Sequence, residues 1–374
     1  MICLMLVNLK ERKSMQKNKS QWLGFLLIIL LLISLTSGCQ TQITQSDVPT
    51  KTVIDCMNRE VVIPKDPQRV ACLYASTAHI MAMLGQEDKI VGIPNGIKRD
   101  VLMAYKRPDI ENISVPFQEG AINIEELLVT NTDLVLIRQS TADNKGEVEK
   151  LNKAGIPWVV VDYASLEGLE KAVTVAGNIF NVPEKAENYN ANMKNTLNLV
   201  SQRVSGIPET SRVRVYHAVN EAARTDLKGD LCSQITEVAG IINVSTQGGS
   251  LITDAEKTMT TLEQIYTWDP DAIIANDGNT TNYMLTDSKW SGLRAVKSQQ
   301  VTTLPTGVSR WGHPGSIEPH MAALFMAKLY YPQEFSDIDL AQITKDYYKQ
   351  FFNLDLSDDD VTAILSGQGM RLSK

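Results

Sequence analysis

The chain has 374 residues, 43% of them hydrophobic and 21% charged, with a formal net charge of −7. This is globular composition, long enough for two domains. Its acidity argues against a nucleic-acid partner and against a polybasic membrane patch.

The first predicted element is a leader. Lys10, Arg12, Lys13, Lys17 and Lys19 precede the apolar run WLGFLLIILLLISL at residues 22–35. A basic region followed by about fourteen apolar residues describes a secretory signal, because a membrane span needs nearer twenty. Met15 offers an alternative start, since MQKNKSQW makes a compact basic region of its own. Ser37-Gly38-Cys39 resembles the bacterial lipobox, with Thr36 where a Leu is usual and Leu35 one place back. The expectation is a signal peptide over residues 1–38, a lipidated Cys39 and a polar tether over residues 39–51. Cleavage removes five basic residues and Glu11, leaving 31 Lys and Arg against 42 Asp and Glu, a net charge of −11. The remaining Cys56, Cys72 and Cys232 have no C-x-x-C spacing, so they indicate neither a zinc knuckle nor a disulfide framework, and a Cys56–Cys72 pair stays open.

TVIDCMNREVVIP reads as a hairpin, RVACLYA as a buried strand, TAHIMAMLG as a short helix stopped by Gly85, and KIVGIP as the next strand. GIPWVVVDY is a further buried strand. Residues 165–206 carry helical spacing without any strand signal, and their second half reads as one helix of about twenty residues. Strand–helix alternation then restarts with RVRVYHAV, LCSQITEVAG and VTTLP before a helix-rich tail. The stretches IEELLVTNTDLVLIR and LEQIYTWDPDAIIAN, at residues 124–138 and 262–276, are two copies of one helix-turn-strand unit, offset by 138 residues. Glu125 and Glu263 hold the same place in the first turn of each copy, where a carboxylate also favours the helix dipole. The predicted fold is α/β: two Rossmann-like lobes with mainly parallel sheets, residues 52–164 and 207–374, joined by a helical linker over 165–206, with a ligand cleft between the lobes.

DCMNREVVIPKDPQRVACL, LGQEDKIVGIP, NIEELLVTNTDLVLI, LCSQITEVAGIINV, LEQIYTWDPDAII and MAKLYYPQEFSDID, taken in order, resemble the class III, helical-backbone substrate-binding proteins of bacterial ABC importers for iron–siderophore complexes, haem and cobalamin. The resemblance covers nearly all of the chain after the leader. It implies a permease dimer with its ATPase subunits as partner, and a place on the extracytoplasmic face of the cell membrane. It also implies docking of the permease by one acidic residue on each lobe. Those positions are Glu125 and Glu263, with Glu126 as the rival on the first lobe.

Ligand contacts are expected in loops at the C-terminal ends of strands. On the first lobe these hold Tyr74, His79, Lys98 and Arg99; on the second, Tyr216, His217, Arg224, Arg310, Trp311 and His313. Arg310 and Trp311 together suit a flat anionic ligand, one by charge and one by stacking. A haem or metal cargo would recruit a histidine as axial ligand, and no resident cofactor or metal site is assigned. The expected cargo is a ferric-siderophore-type chelate, with haem, a corrinoid or an oxyanion such as molybdate as alternatives. A secreted hydrolase or metalloenzyme is the competing class. The chain lacks G-x-S-x-G, H-E-x-x-H, G-x-G-x-x-G and P-loop motifs, and Glu125 and Glu263 on separate lobes share no reaction centre.

If Cys39 is the lipidated residue, Cys39→Ala should abolish metabolic labelling by a fatty-acid probe and leave a released or uncleaved protein. Undiminished labelling would refute the assignment.

Overall fold

The computed structural model describes residues 48–254 and 257–372; the leader, Cys39 and most of the tether lie outside them. No helix among the described residues is long and apolar enough to cross a membrane.

The strands Thr50–Ile54 and Glu60–Pro64 pair antiparallel, as their β-rich alternation requires. Asp55 shapes the turn: its Oδ1 accepts the amides of Met57 and Arg59 at 2.9 Å each, and its Oδ2 pairs with the Arg59 guanidinium. The first sheet has the order Ile90–Gly92, Val70–Cys72, Leu134–Ile137, Trp158–Val160, all parallel. The second has the order Ile242–Asn243, Arg214–Ala218, Ala272–Ala275, Val301–Thr303, again all parallel. Within each lobe the strands therefore run in the order second, first, third, fourth. Both sheets are nearly continuous apolar runs, as sheets covered on both faces require.

The repeat places the strands Leu134–Ile137 and Ala272–Ala275 in register at the offset read from sequence, each preceded by a short helix, Ile124–Val129 or Leu262–Trp268. Asn123 and Thr261 cap these helices through their side chains. Two small sheets were not legible in the sequence: the pair Phe117–Gln118 with Ala121–Ile122, and a three-stranded antiparallel sheet of Arg224–Thr225, Lys257–Met259 and Ile252–Asp254.

Helices Leu166–Ile179 and Pro183–Val204 connect the lobes, the second starting on proline at its first turn, where the missing N–H costs nothing. One continuous apolar core runs from the first sheet through these helices into Pro319–Tyr330 and Leu340–Phe352. The tail does not stay with the second lobe. The Val101 amide donates to the Met370 carbonyl at 3.1 Å, the Leu372 amide to the Arg99 carbonyl at 2.9 Å, and Arg371 pairs with Asp100. The lobes are thus joined at a second place. Cys56, Cys72 and Cys232 are unpaired.

Candidate functional site

The two first-to-third strand junctions, where connections leave in opposite directions, set the C-terminal strand ends around a common cleft. Arg99, Asn220, Asn276, Asp277, Arg310 and Arg371 line a cavity of about 920 Å3 there, with Gly367, Gln368, Gly369, Arg371 and Leu372 of the tail forming one wall.

Three of its charges are cationic and near one another. Arg310 is half-buried; burial lowers its pKa, Asp277 opposes that, and the neighbouring Arg99 and Arg224 lower it further. On Arg371, burial and then Arg99 act the same way, bringing it to about 10. Arg138 lies over the Tyr74 ring at 5.0 Å, and a methyl group on Gly315 would sit 3.1 Å from the Tyr74 hydroxyl. Tyr74 thus meets the second lobe's 310–316 loop across the cleft. Asp277 caps the helix Gly278–Thr286 by accepting the Asn279 and Thr280 amides at 2.9 and 3.0 Å, which occupies donors that would otherwise point at ligand.

His313 accepts the Gly315 amide on Nδ1 at 3.0 Å, so its proton is on Nε2. Burial first, then Arg310 and Arg224, hold its pKa well below the ordinary value. It is a neutral donor suited to an anionic oxygen rather than an axial metal ligand.

Several expected contacts lie elsewhere. Trp311 is fully buried in the main core, its indole N–H 3.4 Å from the Tyr348 hydroxyl. It presents no stacking face to the cleft because the loop turns between Arg310, which lines the cavity, and Trp311, which enters the core. Tyr216 is also fully buried, bonding the Ala222 carbonyl at 2.8 Å and stacking on Trp268 at 6.2 Å; alternation along its strand turns it away while His217 faces the opposite side. His79 is buried against Asp100, Nε2 to Oδ2 3.3 Å, with desolvation pulling its pKa to about 4. Lys98 donates to the Glu111 carbonyl at 2.6 Å within the first lobe. His217 sits beneath the cleft floor between Asp226 and Asn276.

Arg138, Asn276, Asp277 and Arg371 were missed. A signal existed for Arg138 and Asn276, which end the two repeat copies and so stand just past equivalent strands. None existed for Arg371, which reaches the site through tertiary contact alone. Glu125 and Glu263 are both in equivalent first turns at the surface, whereas Glu126 accepts the Ser114 hydroxyl at 2.5 Å.

Comparison with known proteins defines the class. The family model described as periplasmic binding protein matches residues 70–307, and the chain belongs to that family. Its two helix-joined lobes are those of the class III solute-binding proteins of ABC transporters. It is similar to the molybdate-binding protein MolA of Haemophilus influenzae, 26% identical over 90% of this chain and 98% of that protein. It is also similar to the ABC transporter substrate-binding lipoprotein YvrC of Bacillus subtilis, 25% identical over 86% of this chain and 100% of that one. A periplasmic solute-binding protein of Veillonella parvula superposes with a TM-score of 0.73 at 27% identity, over 85% of this chain and 97% of the other.

The burial of Trp311 generates a test. Trp311→Ala should cost about 3–5 kcal/mol of stability by leaving a large cavity, seen as a lowered melting temperature, with ligand affinity of the folded fraction unchanged. A variant that melts normally but binds weakly would return Trp311 to the cleft.

Proposed function

We propose that this chain is a lipid-anchored, non-catalytic binding protein that captures an anionic metal-containing solute between its lobes and hands it to an ABC permease. The observation that carries this reading is the gathering of Arg99, Arg310 and Arg371 along one cavity, with Arg224 near enough to Arg310 to add to the local positive charge. Like charges held together at a half-buried site are costly until an anion joins them, so a ligand with several negative oxygens gains most. The Nε2–H of His313, on the loop that carries Arg310, adds a neutral donor.

A ferric-siderophore-type chelate suits the volume, which falls in the range of small-molecule sites. An oxyanion such as molybdate is the second reading, favoured by the relative named for molybdate binding and by the arginine-rich, ring-poor contact surface. Haem and corrinoid receive less support, because Trp311 and Tyr216 lie inside the core and His313 carries its proton on Nε2. The reading includes residues 1–38 as signal peptide, residues 39–51 as a tether from lipidated Cys39, residues 165–206 as linker, and Glu125 and Glu263 as the permease-docking pair.

One experiment separates capture from delivery. Binding is measured by calorimetry against ferric hydroxamate and catecholate chelates, molybdate, haem and cobalamin, alongside uptake in cells. Arg310→Gln should weaken the winning ligand about 10- to 100-fold, the loss of one or two charge-assisted bonds. The double change Glu125→Lys with Glu263→Lys should leave affinity nearly unchanged and stop uptake, since like charges at a docking surface cost several kcal/mol. Unaltered binding in Arg310→Gln would reject the cleft assignment, and lost binding in the glutamate pair would reject docking.

A further inference from the structure

Beneath the cleft floor, in the second lobe, His217, Asp226 and Cys232 are each 1% exposed, and one donor atom from each lies within 4.8 Å of the others. They come from three elements: the strand Arg214–Ala218, the turn after Arg224–Thr225, and the first turn of the helix Leu231–Val238. The equivalent of His217 in the first sheet is Cys72, since each stands opposite the third residue of its lobe's central strand, Leu136 or Ile274. Cys72 is an ordinary core residue against the Met81 sulfur. The polar group is therefore an addition of this lobe rather than part of the shared scaffold.

Asn276 fixes the protonation of this group. Its Nδ2 donates to the Gly312 carbonyl at 3.0 Å, so its Oδ1 faces His217 Nε2, also at 3.0 Å, and can only accept. Nε2 consequently carries a proton. A neutral His217 then aims the Nδ1 lone pair at Asp226 Oδ2, 2.8 Å away, an oxygen that already accepts from Asn243 Nδ2 at 2.7 Å. At that distance only a proton fits between the two lone pairs, since a zinc-class ion needs about 2 Å to each donor, so the metal-free pair shares one proton. That leaves Asp226 Oδ1 buried with no hydrogen-bond partner among the described residues. In the metal-free protein the Cys232 thiol donates to the Gly312 carbonyl at 3.1 Å.

We propose that His217 Nδ1, Asp226 and Cys232 Sγ form a buried three-residue site for a borderline-soft divalent ion of the zinc class, with the Gly312 carbonyl 3.1 Å from Sγ. Nitrogen, oxygen and sulfur donors match the preference of such an ion. The Nε2–H bond to Asn276 is the outer-shell contact that fixes the tautomer of a ligating histidine. Binding displaces the Cys232 thiol proton and any proton shared by His217 and Asp226 to solvent, with no change of oxidation state. The site is enclosed and apart from the cargo, so the ion is resident. Through Gly312 it holds the loop that carries Arg310 and His313.

The test uses the full chain in detergent, stripped with a chelator and titrated with cobalt(II) and then zinc(II). One equivalent of cobalt should raise a thiolate-to-cobalt charge-transfer band that zinc bleaches, and zinc should raise the melting temperature. Cys232→Ala should lose both effects while its metal-free form keeps the parent's circular dichroism, and Asp226→Asn should weaken zinc at least tenfold. Absence of the band in the parent, or its survival in Cys232→Ala, overturns the proposal. So does an NMR titration showing His217 as an imidazolium in zinc-saturated protein, which would mean that a proton occupies the place.

Discussion

The cleft depends on a carboxylate taken wholly out of water. Glu318 is fully buried, and its oxygens accept the Ser309 amide at 2.7 Å, the Ser309 hydroxyl at 2.6 Å and the Tyr348 hydroxyl, with the Val308 amide at 3.3 Å. Burial, its largest influence, pushes its pKa up, while the Ser309 and Tyr348 bonds pull the other way. Such a group persists only if its acceptors are filled. Here they are filled by the loop that presents Arg310 and His313 and by the helix Leu340–Phe352. Gly307 is required at this crossing, because a side chain there would run into the Tyr348 hydroxyl and the Glu318 carboxylate. The loop is therefore clamped to the inter-lobe core, and Arg310 projects from a fixed base.

A fixed base matters because the arginines repel one another. On a mobile loop they would move apart into water, and the cleft would lose its concentration of positive charge. Clamping from Glu318 on one side and from the Asn276–Gly312 bond on the other holds them in place before any ligand arrives, so less ordering remains to be done on capture. The tail strengthens the frame by bringing Arg371 onto Asp100, which also holds buried His79. His320, by contrast, takes no part in this frame. Fully buried among the Tyr189 and Tyr347 rings, it is held neutral, its pKa pulled to about 3 by desolvation.

The architecture was legible because period, caps and punctuation agree in this chain. Both parallel sheets, the long helix on Pro183 and the offset of the repeat are local properties, and local properties survive folding. The cleft was half legible. Proximity to strand ends picked out Arg99 and Arg310, which line the cavity, but sequence could not say which side of a loop faces inward. Trp311 and Tyr216 are buried: each neighbours a polar residue that faces another way, Arg310 or His217, and one step along a strand or turn reverses direction. The return of the tail to Arg99 and Val101 leaves no mark in the sequence at all, since two hydrogen bonds and one ion pair need no pattern.

The shared strand order has a consequence for how such a molecule diverges. Two copies of one fold within a chain are released from having to match, so a substitution on one side need not be tolerated on the other. Cys72 and His217 occupy equivalent positions of the two sheets, and Arg138 and Asn276 equivalent ends of the repeat, yet one member of each pair is apolar or basic and the other belongs to a neutral or acidic network. A symmetric pair of half-molecules would have been confined to symmetric cargo. A fused pair can read the two faces of a solute with different chemistry, and its specificity can be retuned one face at a time.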